Sequence, residues 1–491
     1  MDTRIILFPL VILLAVACYF LFKDERKKYF TIFMKVLVIF YMVWVFFRYI
    51  LNDGFIWVIN GGYYNDMYYE TTDYLQSFLR WGHYLSYVVF AMAIFFNSRL
   101  FKNISIFVCL PFAILSGIFY YDFMAYFMAD GRGIETSFAF REFYFSVELI
   151  IAMLIPLLFL IVDRHMFDFK NKTEWKNFLV SLPFIILLLV PVYVPQSLIG
   201  YTQHTTTAMT LGNFIWLFIT FLEIAVLYIL FRFKDKRQRY MLCMFLALAL
   251  FMHYNSMYLM GFTIQRLPFQ LCNLGAYFFV FALIIKNRAF FNFTFIANVV
   301  GTLIAMIMPD TSGGFAGFWN IHFLIEHMQV LVIPILCMLL RIFPRVDKSA
   351  LKHLLIGFTC YFAFCWISGT IINAYAVEGG YGMVNYFYIF DLEKAFGYFP
   401  FLTFTENIHI CLFGKFDIWP VFQLTVYAGF LLLCVLFYFL VLKFYDILDD
   451  HFELRKARID LYEKITGKKS KAKRDYDLEE DEEYVKNNKS I

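Results

Sequence analysis

Thirteen apolar runs, each about as long as the ~20 residues that a membrane-spanning helix needs, limit what this chain can fold into. They lie near 3–22, 29–51, 78–97, 103–128, 141–163, 176–200, 211–232, 238–262, 266–286, 291–309, 318–342, 351–374 and 419–444. No soluble core could absorb them, because 62% of the 491 residues are hydrophobic and only 16% are charged. Soluble domains run nearer half apolar and about a quarter charged. The fold class expected is therefore all-α: a polytopic protein of the cell membrane with about 13 transmembrane helices.

The connections sort by charge. Lys23, Arg26, Lys27 and Lys28 follow the first run; Arg99 and Lys102 the third; Arg164, Lys170, Lys172 and Lys176 the fifth. Arg232, Lys234, Lys236, Arg237 and Arg239 follow the seventh, Lys286 and Arg288 the ninth, and Arg341, Arg345, Lys348 and Lys352 the eleventh. The alternate connections carry few bases. Basic loops stay cytoplasmic, so the N-terminus is expected outside and the C-terminus in the cytoplasm. The first run is expected to be retained as a helix rather than cleaved, because Asp2 precedes it and a dense charge cluster follows it directly.

The chain also repeats itself. Phe22-Lys23-Asp24-Glu25-Arg26-Lys27-Lys28-Tyr29 recurs as Phe233-Lys234-Asp235-Lys236-Arg237-Gln238-Arg239-Tyr240, and Ser98-Arg99-Leu100-Phe101 recurs as Asn287-Arg288-Ala289-Phe290. Glu148 stands eight residues before Pro156, as Glu326 does before Pro334. Ordered matches of this kind imply a duplicated membrane unit. Six passes per copy give both copies the same orientation, as in transporters built from parallel repeats. The expected divisions are a first six-helix half (1–209), a second (210–374), an outer interfacial segment rich in Phe and Tyr (375–418), a last helix (419–444) and a charged cytoplasmic tail (445–491). A second Tyr-rich outer segment, 52–77, is read like the first as an aromatic collar or a lid.

Polar residues inside spans cost about 2.5–3.5 kcal/mol each and normally face a cavity or a partner. The second half concentrates them. Arg266, Gln270 and Asn273 form one helical stripe, and His322, Glu326 and Gln329 another, while Asp310 and Asn373 cap neighbouring helix ends. On a rise of ~1.5 Å per residue these groups share one level near the outer face, which implies a pocket open to the outside. Cys272 and His327 flank the stripes, either as catalytic groups or as satisfied interior residues. The first half keeps Glu148 and Asp122 but has Tyr144 and Leu149 where the second has His322 and His327, with Ser86 near the place of Cys272. It reads as a degenerate copy that lost the reactive groups. Glu223, inside the seventh pass, is a separate buried carboxyl, either bonded to a neighbouring helix or part of a proton relay.

Nine scattered cysteines show neither zinc-site nor disulfide-framework spacing. No phosphate loop, metal motif or nucleic-acid surface appears. No cofactor and no nucleic-acid partner are expected; membrane lipids are, and protein partners are unassigned.

Leu267-Pro268-Phe269-Gln270-Leu271-Cys272-Asn273-Leu274, then Pro309-Asp310, the helix of His327, Asn373 and Asn385-Tyr386 together resemble the ordered motifs of the bacterial YwaF-like integral membrane family. The resemblance covers about 240–390. That family is distantly similar to a eukaryotic transmembrane acyltransferase of ether phospholipids, in which a Cys and a His are proposed to be catalytic. The resemblance implies Cys272 as nucleophile and His327 as base. It also shows a departure: Gln270 stands where the family motif has His. Three functions stay open on the sequence: lipid acyl transfer or hydrolysis, transport of a small or amphipathic solute, and non-catalytic lipid binding.

Overall fold

The computed structural model describes residues 2–23, 26–50, 74–126, 138–188, 211–232, 234–255, 267–307, 318–378 and 383–467. Arg266 and Asp310 fall outside them, as do most of the 52–77 segment and the tail beyond residue 467. The helices are α1 (Thr3–Leu21), α2 (Lys27–Ile50), α3 (Tyr74–Phe95), α4 (Arg99–Ile118), α5 (Tyr120–Tyr126), α6 (Phe138–Ile161) and α7 (Lys172–Leu188). They continue with α8 (Leu211–Phe231), α9 (Lys236–Asn255), α10 (Leu271–Ile285), α11 (Arg288–Ile307), α12 (Phe318–Leu339), α13 (Ser349–Glu378), α14 (Leu392–Tyr398) and α15 (Pro420–Thr466). Every expected pass has a helix. Among the described residues, nine are long and apolar enough to cross a bilayer on their own. The protein is an all-α, multi-pass membrane protein, and β1 (Ile410–Leu412) and β2 (Phe416–Ile418) make a single short hairpin.

Three boundaries differ from expectation, each for a local reason. The fourth pass ends at Ile118, and its ladder widens into a π turn over Ser105–Cys109 just before Pro111, which has no N–H to continue a regular ladder. The ninth pass starts at Leu271 rather than 266, because Pro268 holds the chain in a turn before it. The thirteenth does not stop near 444: α15 runs on for 47 residues, about 70 Å at ~1.5 Å per residue, with only Pro420–Ile447 apolar enough to span.

The chain divides into two compact units. The first holds α1 to α7 with the end of α9 from Leu248 and the first turn of α12 to His322. There α1 buries Leu7, Val11 and Ala15, one stripe at helical spacing, and exposes Ile5, Ile12, Leu13, Val16 and Phe20. The stripe faces α6 and the rest is left for lipid. In the other unit α11 is the central helix, buried from Phe291 to Val300 without a break and packed on α10, α13 and α15. Glycines permit the closest approaches: a Cβ on Gly357 of α13 would run into the Phe293 ring, and one on Gly275 of α10 would meet Asn298 at 3.0 Å.

Both units carry the same kind of latch at the basic end. Arg99 pairs with Glu174, and Asn103, one turn on, bonds His165 at 2.6 Å. Arg288 pairs with Asp347 at 2.7 Å, and Asn292, one turn on, bonds His353 at 3.2 Å. Both arginines also donate to a backbone carbonyl, of Met166 and Arg345 respectively.

Candidate functional site

Cys272 is the second residue of α10, and its position follows from how that helix begins. The turn before it is pinned by its own carbonyl: Phe269 O accepts from Tyr361 Oη at 2.9 Å and from Cys365 Sγ at 3.4 Å, both on α13. Gln270 stands at the N-cap but does not cap the helix. Its amide is committed elsewhere, with Nε2 donating to Asn385 O at 2.7 Å and Oε1 accepting from Phe387 N at 2.8 Å. The start of α10 is thereby left without a side-chain cap from its N-cap residue. At 15 residues and ~1.5 Å each, α10 covers about 22 Å, less than a hydrocarbon zone of ~30 Å.

Glu326 reaches the same place from α12. It lies eight residues, or about 12 Å, into its helix, is 4% exposed, and is close enough to act electrostatically on the Cys272 thiol. One turn further along both helices, Gly275 lets Val330 approach so closely that an added Cβ would lie 3.2 Å from it. That contact sets the spacing of α10 and α12 one turn from Cys272 and Glu326. Tyr361 is a further electrostatic neighbour of Cys272. The thiol itself donates to Asn273 Oδ1 at 3.3 Å.

His327 takes a different position. Its Nδ1 is 2.6 Å from Phe323 O, one turn back on its own helix, and its ring stacks on Phe323 at 3.9 Å. A carbonyl only accepts, so Nδ1 carries the proton and Nε2 is the basic nitrogen of the neutral ring. The hydrogen bonds of Cys272 and His327 run to Asn273 and Phe323 rather than to each other. Gln329 also leaves the expected stripe: its Nε2 donates to both carboxyl oxygens of Glu223 on α8, at 2.9 and 3.2 Å. Of the two readings of Glu223, the bond to a neighbouring helix is the one seen.

Two expected site residues serve the loop 383–391 instead. Asn373 clamps Val384 in both directions, Nδ2 donating to its carbonyl at 2.9 Å and Oδ1 accepting its N–H at 2.7 Å. Asn385 Oδ1 accepts the N–H groups of Phe390 and Asp391. With Gln270 they hold this loop against the start of α10, through Phe387 and Tyr388, which both adopt positive φ (54° and 57°).

His322 belongs to the other compact unit, where its ring stacks on His253 at 4.7 Å and 15° while His253 Nε2 lies 3.4 Å from its carbonyl. In that same unit Tyr144 stacks on Trp44 at 4.3 Å and 19°, and Trp44 Nε1 donates to Tyr144 O at 3.1 Å. Tyr144 and His322 each stand four residues before the shared glutamate.

The first unit is not stripped of ionisable groups at the place of Cys272. His83 precedes the Ser98-Arg99 motif by the same interval as Cys272 precedes Asn287-Arg288, and His83 Nδ1 meets Glu148 Oε1 at 2.9 Å. Counted from these motifs, His83 and Glu148 stand at the same intervals as Cys272 and Glu326. Reading the motif interval inward would have found His83. Nothing in the sequence marked Tyr361 or Cys365, which reach the site only through the packing of α13.

Among the described residues, no group of three or more His, Cys, Asp or Glu is placed to hold a metal ion. No curated protein and no solved structure matches the chain. Residues 198–441 match the TMEM164 family, a transmembrane family, and that match spans every residue of the site around Cys272.

Proposed function

We propose that the two six-helix halves are copies of one unit and that the second carries a membrane-embedded acyl-transfer site acting on glycerolipids at the cell membrane. The observation that carries this reading is the placement of Cys272 at an uncapped helix N-terminus beside a buried carboxyl. Backbone N–H groups at a helix start stabilise an oxyanion in a dry site, and a carboxyl beside the thiol supplies the base that attack by sulfur needs there. The resemblance to the YwaF-like family, and through it to an ether-phospholipid acyltransferase, supports the same chemistry.

In this reading Glu326 accepts the thiol proton as the sulfur attacks an ester carbonyl. The tetrahedral oxyanion is met by the N–H groups of Cys272 and Asn273. Collapse breaks the ester C–O bond, the leaving lysolipid alkoxide takes the proton from Glu326, and the acyl group stays on sulfur as a thioester. An acceptor hydroxyl then gives its proton to Glu326 and attacks the thioester. The sulfur leaves as thiolate and recovers the proton. Gln270, bound to the loop, plays no part as an oxyanion donor, and His327 Nε2 is the reserve base.

The test uses the purified chain in vesicles containing a glycerophospholipid with an alkyne-tagged acyl chain and a lysophospholipid acceptor. The expected result is a hydroxylamine-labile tag on the protein and tagged product lipid. Both should disappear in Cys272→Ala, with turnover lowered about 10²–10⁴-fold in Glu326→Gln. Full turnover in Cys272→Ala would falsify the mechanism. A second reading, transport, rests on the ionisable Glu223 standing half-buried inside α8; solute uptake or proton flux that vanishes in Glu223→Gln, without acyl chemistry, would establish that instead.

A further inference from the structure

The hairpin that precedes α15 has two unlike faces. Ile410 pairs with Ile418, Cys411 with Asp417 and Leu412 with Phe416. Side chains alternate across a strand, so the first and third pairs share one wholly apolar face and the middle pair lies on the other. The polar face is tied together by His409 Nε2 on Asp417 Oδ1 at 2.9 Å. On the apolar face Phe416 and Ile418 are half-buried, while Ile410 (44%) and Leu412 (43%) stand open.

The tip goes further. Phe413 is 93% exposed and adopts a positive φ of 56°, followed by Gly414 at 68°. A side chain in the left-handed region costs roughly 1–2 kcal/mol, which a glycine there would avoid. At 93% exposure Phe413 buries almost nothing against the described residues that would offset this cost, which points to a partner outside the chain.

Where the hairpin sits identifies that partner. Pro420, two residues after Ile418, begins the membrane-spanning part of α15. On the other side Lys415 Nζ rests 3.9 Å over the ring of Tyr375, one residue from the end of the α13 span at Ala376. Both attachments fix the hairpin at the level where two spans leave the bilayer. Its open apolar face therefore lies at the level where the lipid-facing surfaces of those helices end, and the same outer segment exposes Phe401 and Phe404. Aromatic side chains favour that interfacial zone.

We propose that this hairpin is a lipid-binding element, lying in the bilayer interface with Phe413 inserted among the acyl chains of the leaflet at the base-poor face. Cys411, His409 and Asp417 face the water. The proposal is independent of any chemistry at Cys272.

The experiment places p-benzoylphenylalanine at Phe413 or at Asp417 in the full chain, reconstituted into phosphatidylcholine vesicles and irradiated. Both side chains are exposed; the Asp417 change gives up the surface ion pair to His409, so the unfolding midpoint of each variant is measured beside the crosslinking. At Phe413 a phosphatidylcholine adduct is expected by mass spectrometry, at least tenfold more abundant than at Asp417. Equal lipid yields at the two positions, adducts only to a second copy of the chain, or no adduct at Phe413 would each overturn the proposal.

Discussion

His83 and Glu148 meet at 2.9 Å in the first unit with side chains 2% and 1% exposed, on the helices and at the intervals that Cys272 and Glu326 occupy in the second. A His–Glu pair with one shared proton is neutral as a whole and can sit in a dry interior. Removing one member leaves the other buried without its counter-charge, which costs about 3–5 kcal/mol. Glu148→Gln and His83→Leu are each expected to lower the unfolding midpoint in detergent sharply. The double change His83→Leu with Glu148→Leu should be less destabilised than either single one. A double variant as unstable as the two singles combined would show that the pair's members act separately.

Gln270 holds two strained residues in place. Its amide accepts the N–H of Phe387 and donates to the carbonyl of Asn385, on either side of a backbone that turns left-handed at Phe387 and Tyr388. Gln270→Ala should cost about 1–3 kcal/mol through the buried groups it leaves unpaired. It should also raise hydrogen exchange across 383–391 while leaving α11 protected. Unchanged exchange in that loop would mean that Asn373 and the packing of Phe390 against Gly369 hold it alone.

The apolar runs and their flanking charges made the helices legible, because length and hydropathy alone decide what a bilayer accepts. Boundaries failed at Phe119, where the backbone leaves the helix, before α10, where Pro268 redirects the chain, and at the end of α15, which runs on past its apolar stretch. The polar groups were legible as a set but not as a site. Stripe arithmetic put Gln270, Gln329 and Asn373 on pocket walls, whereas each satisfies a nearer demand: a loop amide, the Glu223 carboxyl and the Val384 backbone. Periodicity tells which face a residue is on, and only tertiary packing tells which partner reaches it first. Glu326 illustrates the other side. It was placed on a polar stripe, and its approach to Cys272 depends on α10 starting five residues late.

Gly275 sets the distance between α10 and α12. A Cβ there would sit 3.0 Å from Asn298 Oδ1 and 3.2 Å from Val330 Cγ1, one turn from the Cys272–Glu326 level. Gly275→Val is expected to destabilise by about 1–3 kcal/mol through overpacking. By moving the two helices apart it should reduce acyl transfer more than stability alone explains. Gly429, with nothing within 4 Å of an added Cβ, is the control, and Gly429→Ala should leave both properties unchanged. Thermal unfolding and lipid turnover measured on the same preparations separate the two effects.

Acid should loosen the basic end of the second unit through Asp347. Burial pushes its carboxyl up, but the hydrogen bonds from Ser349 and the charge and hydrogen bond of Arg288 outweigh that, so the folded carboxyl titrates below its ordinary value. The unfolded chain then binds more protons in acid than the folded one does. The stability that Asp347 contributes is complete above its unfolded pKa, about 3.9, and is lost as pH falls through the lower folded value. Glu174 has the same sign in the first unit: burial raises it, while Arg99 and Asn103 together lower it further. Unfolding midpoints taken from pH 7 downward should therefore drop on the acid side in the native chain. Asp347→Asn should start from a lower midpoint at pH 7 and lose less on acidification, whereas an acid slope identical to that of the native chain would show that Asp347 is not among the groups that set it.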